Sequence, residues 1–298
     1  MAQDEVHFFD AHTHAQFGAF DADRDAVLAR AREAGVWMVN AGTQRDTSRV
    51  AVELAEREAA AGNQGVFAAI GLHPVHTAKS FHDADELGGG EAARAFTSRG
   101  EIFDAEYYRA LALRPKTVAI GECGLDYFHF SDDEPREAQV RKQKDAFLAQ
   151  IALAEEVKKP LMIHCRDAFA DLIAMLKENK TKLDAAPGIV HFFTGTTDDA
   201  RELLNLGFSF TFGGAITFPP RKGQAAGSYD EVVKLIPADR MLSETDAPYV
   251  APAAYRGKRN EPTYVVEVVR KLAGLKGLSP DAMKAQIWEN ARRVYNIP

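Results

Sequence analysis

The chain reads as one (β/α)8 TIM barrel spanning residues 1–298, and three observations predict that fold. Eight short apolar runs of strand length alternate with helical segments. The runs show no polar alternation, which is the pattern of a parallel sheet covered on both faces. The length of 298 residues also suits one barrel with additions. An open dinucleotide-binding sheet is the competing α/β architecture, but no Gly-x-Gly-x-x-Gly follows the first run.

Taken in order, the first strand ends in Phe8-Phe9-Asp10 and leads into Ala11-His12-Thr13-His14. Helix-forming residues from Asp23 to Ala34 stop at Gly35, which suits the left-handed turn beyond a helix C-terminus. Val36–Asn40 is a strand, Thr47–Ala61 a helix, and Val66–Ile70 a strand ending in Gly71-Leu72-His73-Pro74. There the alternation pauses. Residues 77–115 carry a Gly88-Gly89-Gly90 break and the aromatics Phe103, Tyr107 and Tyr108. They are too long for an ordinary βα loop and predict an insertion with some helix of its own.

Thr117–Glu122 resumes the pattern as the fourth strand, followed by a long helix over Glu134–Lys158. Leu161–His164 and the helix Ala168–Asn179 come next. Ile189–Phe193 precedes a helix opened by Thr197-Asp198-Asp199, whose acidic residues suit a helix N-terminus. Phe208–Phe212, a helix over Tyr229–Ile236 and the last strand Met241–Asp246 complete the count. Ser279-Pro280-Asp281 supplies an N-cap with Pro at N1 for a closing helix.

Composition narrows the function. With 46% hydrophobic and 27% charged residues, the chain is an ordinary globular one with enough apolar content for a full core. No apolar stretch approaches the ~20 residues of a membrane span, and the N-terminus lacks a basic segment followed by an apolar run. Cys123 and Cys165 make no disulfide framework. A cytoplasmic protein without a membrane partner is the expectation. A net charge of −7 argues against gripping long duplex nucleic acid through many phosphates. Any polyanionic substrate has to be held locally.

In such barrels the active site lies at the C-terminal ends of the strands. His12 and His14 stand at the first such end, His73 at the third, Glu122 at the fourth, His164 at the fifth, His191 at the sixth and Asp246 at the eighth. Five of the 9 histidines fall there beside two carboxylates, which is too many for scattered core histidines. His12 and His14, two apart in extended backbone, face the same side. Imidazoles and carboxylates without thiolates suit Zn, Mn, Fe or Mg. Cys123 and Cys165 each follow a ligand candidate by one residue, so strand alternation turns them into packing positions. The set exceeds what one catalytic zinc needs, which predicts two divalent ions (Mg, Mn or Zn) and a bridging carboxylate.

The strings Asp10-Ala11-His12-Thr13-His14, Gly71-Leu72-His73-Pro74, Gly121-Glu122-Cys123-Gly124-Leu125-Asp126-Tyr127, His164-Cys165-Arg166, His191-Phe192-Phe193-Thr194-Gly195 and Glu244-Thr245-Asp246-Ala247-Pro248-Tyr249 resemble the TatD-related metal-dependent deoxyribonucleases of the amidohydrolase superfamily. The resemblance runs from about Phe8 to Ile297 and includes Arg256–Pro262; it departs over Lys79–Leu113, which is longer than expected. It implies that His12, His14 and Asp246 hold one metal, that His164 and His191 hold the second, and that Glu122 bridges them. Glu122 stands where wider amidohydrolases often carry a modified lysine. Asp246 would orient or deprotonate the attacking water.

Phosphodiester hydrolysis follows as the expected activity, of the 3'-5' exonuclease kind on single-stranded DNA or a short oligonucleotide. His73, Arg166 and Arg259 are the candidate phosphate contacts, the arginines because their fork matches phosphate oxygens. Tyr127 and Tyr249 are aromatics able to stack on a base. The alternative on the same ligands is an amidohydrolase-type reaction on a small amide, lactone or phosphoester.

Overall fold

The computed structural model describes residues 5–79, 81–82, 96–98, 100–183, 187–219 and 228–298. Eight parallel strands form its centre: β1 (Phe8–Thr13), β2 (Val36–Ala41), β3 (Val66–Ile70), β4 (Thr117–Asp126), β5 (Leu161–Arg166), β6 (Gly188–Val190), β7 (Ser209–Phe212) and β8 (Met241–Ser243). Each pairs with the next in chain order. β3 and β4 are buried along their whole length, as the unbroken apolar runs require.

The first and last strands meet through a polar seam. Ser243 Oγ donates to Phe9 O (2.7 Å), and Thr245 donates from N and Oγ1 to the Asp10 carboxylate (2.8 and 2.5 Å). Asp246 N donates to His12 O (2.9 Å), which brings the two ligand-bearing strand ends side by side. Burial pushes the Asp10 carboxyl well above its ordinary range, even against the Thr245 hydrogen bonds. The expected (β/α)8 barrel is therefore present.

The helices are α1 (Arg24–Glu33), α2 (Arg45–Ala60), α3 (Ala105–Ala112), α4 (Arg136–Val157), α5 (Phe169–Glu178), the short α6 (Lys180–Leu183), α7 (Thr197–Asn205), α8 (Ser228–Leu235), α9 (Val265–Lys276) and α10 (Pro280–Tyr295). Ser279 caps α10 by accepting from Ala282 N, with Pro280 at the first turn. Thr196 and Asp199 cap α7 reciprocally. No helix among the described residues is long and apolar enough to cross a membrane.

Four differences from the sequence reading have physical causes. β6 stops at Val190 and β8 at Ser243, and neither can run on to Phe193 or Asp246 as a strand, because Phe192 (φ 42°) and Asp246 (φ 55°) adopt left-handed backbone. β4 instead runs on through Asp126, kept in register with Arg166 of β5. α9 carried no helix signal, since Val265, Val266, Val268 and Val269 crowd a helix at χ1. Tertiary packing overrides that preference: Val265, Val268, Val269 and Leu272 form one buried face against β1 and α10.

Within residues 77–115, α3 packs against α2, α4 and β4, the place of a crossover helix between β3 and β4. Ahead of it, Phe81–His82 pairs antiparallel with Phe96–Thr97. The Gly88-Gly89-Gly90 break lies outside the described residues. Glu101 fastens the segment to the barrel mouth. Its N donates to His76 O, and its carboxylate accepts from Tyr108 Oη and from Arg45 N.

Candidate metal centre

The structure brings the strand-end residues together in two groups that share one carboxylate. In the first, His12 Nε2 and His14 Nε2 are 3.1 Å apart. Glu122 Oε2 lies 3.5 and 3.8 Å from them, and Asp246 Oδ1 lies 3.5 and 3.3 Å from them. In the second, the other oxygen, Glu122 Oε1, is 2.8 Å from His191 Nε2, 3.3 Å from His164 Nδ1 and 3.2 Å from His73 Nε2. His164 Nδ1 and His191 Nε2 are themselves 3.3 Å apart.

These spacings fit a divalent ion. Four ligands held ~2.1 Å from a tetrahedral centre stand about 3.4 Å from one another. Among the described residues, the sets His12–His14–Glu122, His73–Glu122–His164 and His12–His191–Glu244 could each hold a metal ion. The donor chemistry agrees, because imidazole and carboxylate without thiolate suit such ions. Burial alone would raise the Glu122 carboxyl, but His73, His191 and His12 together hold it well below its ordinary range. Burial would likewise lower His191, yet Glu122 and Glu244 outweigh it and push the imidazole well above its usual value. Burial does win at His12, which is pushed well below. So many desolvated polar groups facing one another are costly unless something compensates them.

Hydrogen bonds behind the groups set which ring nitrogen faces inward. His14 Nδ1 donates to Ala41 O (2.7 Å), leaving the Nε2 lone pair aimed at the first group. His164 Nε2 donates to Asp126 Oδ2 (2.9 Å), leaving Nδ1 for the second. His191 Nδ1 is 3.6 Å from Glu244 Oε2, beyond hydrogen-bond length. Glu244 is instead anchored by Phe192 N and Thr211 Oγ1, both at 2.6 Å. His73 is different. Its Nδ1 accepts from Val75 N (3.2 Å), which puts the ring proton on Nε2, the atom facing Glu122. Gly124 makes the approach of β4 to β5 possible: its φ is 134°, and a Cβ there would sit 2.0 Å from His164 O.

A family model described as TatD related DNase matches residues 9–296. The chain belongs to this family. It is 38% identical over 290 residues to the metal-dependent hydrolase YabD of Bacillus subtilis, covering 97% of this chain and 99% of that one. The 3'-5' ssDNA/RNA exonuclease TatD of Erwinia tasmaniensis is 37% identical over 295 residues, covering 97% of this chain and all of that one. The crystal structure of the TatD homolog YJJV from Escherichia coli K12 has a TM-score of 0.77 and 27% identity, covering 98% of this chain and 99% of that one. The chain is thus a metal-dependent hydrolase of the TatD DNase family.

Asp126 and Glu244 carry roles in this TatD-family site that the sequence reading did not give them. Asp126 has a side chain only 1% exposed and takes hydrogen bonds from His164, His129 Nδ1, Phe128 N and His129 N. Burial raises its carboxyl, but the bonds from His129 and His164 hold it far below the usual range. Strand parity was the available signal. Counted along extended backbone, Asp126 lies four residues past Glu122 and Glu244 two before Asp246.

The predicted substrate contacts separate. Arg166 follows His164 by two residues on β5, and its guanidinium lies 3.7 Å over the Phe128 ring. No carboxylate among the described residues pairs with it. Arg259 instead bonds Asp23 Oδ1 and Oδ2 (2.8 and 2.6 Å) and Ala19 O (2.7 Å), and covers Phe20. Tyr127 Oη donates to Asp171 (2.7 Å), and Tyr249 packs edge-on to His14. Cys123 and Cys165 are free and buried, and burial pushes both thiols up.

Proposed function

We propose that this chain hydrolyses phosphodiester bonds of single-stranded DNA or short oligonucleotides, with two divalent ions (Mg, Mn or Zn) in the groups that share Glu122. The observation that carries this reading is the division of Glu122, one oxygen toward His12 and His14, the other toward His164 and His191. His12, His14, Asp246 and Glu122 would hold one ion, and His164, His191 and Glu122 the other. When bound, such ions lower the pKa of a water and polarise a phosphoryl oxygen.

The chain's own residues supply the rest. Asp246, with a side chain 19% exposed, is more open to solvent than Glu122 at 5%, and it takes the proton of the attacking water. His73 Nε2–H, whose tautomer the Val75 contact fixes, faces Glu122 Oε1 at 3.2 Å and would turn to a phosphate oxygen once that carboxylate is committed to the ions. Arg166 offers its fork to the same phosphate. The net charge of −7 favours a strand end or short oligonucleotide over long duplex. The name of the Erwinia tasmaniensis relative, a 3'-5' ssDNA/RNA exonuclease, supports the polarity.

The test compares wild type with Asp246→Asn on 5'-labelled single-stranded oligonucleotides in Mg, Mn or Zn, beside a panel of lactones, amides and small phosphoesters. Wild type shortens the strand stepwise from the 3' end, and Asp246→Asn is slower by about 10²–10⁴-fold. Turnover of a lactone or amide with no cleavage of DNA would overturn the reading.

A further inference from the structure

We propose that Phe128 and Arg166 form a nucleobase-stacking subsite on the barrel rim, for a base close to the phosphodiester that is cut. The inference rests on the nuclease reading above and adds a recognition element to it. Phe128 is 52% exposed, unusual for a large aromatic, at the point where the chain leaves β4. Its neighbours show what ordinary packing looks like there. Tyr127 and Phe130 stack on one another at 5.9 Å and are partly buried, and the Tyr127 hydroxyl is committed to Asp171.

Phe128 is exposed but held. Its amide donates to Asp126 Oδ1 (2.9 Å), and the other oxygen of that carboxylate accepts from the ligand candidate His164. The ring is therefore two hydrogen bonds away from the second ligand group. Arg166 reaches it from the facing strand. It lies on the same side of β5 as His164 and about 7 Å farther along the strand. Its guanidinium is parked 3.7 Å over the Phe128 ring, and no described carboxylate pairs with it. A flat aromatic beside a flat cation is what an unpaired base stacks on, whatever its identity. The edge of the guanidinium keeps its N–H donors for the adjoining phosphate.

The experiment measures kcat and KM on a single-stranded oligonucleotide with an intact 3' end, and on versions abasic at the terminal or the penultimate position. Wild type prefers the intact strand. Phe128→Ala raises KM for the intact strand by about 5- to 100-fold and loses most of that preference, while Phe128→Trp keeps it. Thermal melting of both variants checks that each is folded. If Phe128→Ala discriminates intact from abasic ends as wild type does, or if wild type cuts all three strands equally, the subsite is wrong and the nuclease reading stands. If wild type cuts no oligonucleotide, both fall together.

Discussion

Replacing Asp126 by Asn isolates the tautomer of His164 with almost no change of volume. The carboxylate accepts four hydrogen bonds: His164 Nε2 and His129 Nδ1 on Oδ2, and the Phe128 and His129 amides on Oδ1, all at 2.9 Å. Asparagine offers one acceptor oxygen and one donor NH₂. If the NH₂ faces His164, the imidazole must accept at Nε2 and carry its proton on Nδ1. That is the atom 3.3 Å from Glu122 Oε1, and once protonated it cannot ligate a metal. If the amide turns over, its NH₂ meets two backbone N–H groups instead.

Either way at least one charge-assisted hydrogen bond is lost, about 1.5–3 kcal/mol, or roughly 10- to 150-fold in an equilibrium constant. That range agrees with the 10–100-fold usual when a residue orienting a metal-binding histidine is removed. Calorimetric titration of metal-depleted protein is expected to show one ion bound about 10–100-fold more weakly. The other, beside His12 and His14, is expected to change by less than about threefold, and kcat/KM on an oligonucleotide to fall with the weakened site. Wild-type affinity for both ions in Asp126→Asn would refute the tautomer argument.

Glu122→Gln is expected to lower the ion content measured by elemental analysis from two per chain to one or fewer, with hydrolysis down about 100-fold or more; two ions retained would exclude a bridging role. Chelation should lower the melting temperature by about 4 °C for each ion lost, from ~2.7 kcal/mol of linkage at 100-fold excess ligand and ~1.6 °C per kcal/mol for a chain of 298 residues, and Mn or Zn should restore it. An unchanged melting curve would mean the cluster holds no ion. Arg259→Ala should cost about 1 kcal/mol or less, because the Asp23 side chain is 38% exposed. The hydrogen bond from Arg259 holds the Asp23 carboxyl below its ordinary value, so this stabilisation is full above about pH 4 and is lost as pH falls through the depressed folded pKa. Wild-type and variant melting curves should draw together as pH falls below the ordinary carboxylate value of about 4, and a tenfold rise in KM would show that this guanidinium also reaches the phosphate.

The site was legible wherever a polar residue interrupted an apolar strand. His164 after Leu161-Met162-Ile163, and Glu122 after Val118-Ala119-Ile120-Gly121, stand out because a buried parallel strand has no other use for them. His12 and His14 needed only the two-residue period of extended backbone. What escaped were residues whose meaning depends on a distant partner. Asp126 matters because β4 stays in register with β5, which sets it against His164. Arg259 lies 236 residues from the Asp23 that takes its fork. Phe128 and Tyr127 are adjacent, and only the packing around them partly buries one and leaves the other exposed.

The family came from the resemblance of the motif strings; by themselves, the order of apolar runs and the polar strand ends determined the barrel and singled out the candidate ligand residues. Those follow from periodicity and from the cost of burying a polar side chain without a use for it, and both are local in sequence. The tertiary structure decided the division of Glu122 between two groups, the ring nitrogen each histidine presents, the helical state of the valine-rich α9 and the pairing of Phe128 with Arg166. Each of these is fixed by contacts between strands and helices far apart in the chain, where register and packing, not propensity, select the outcome.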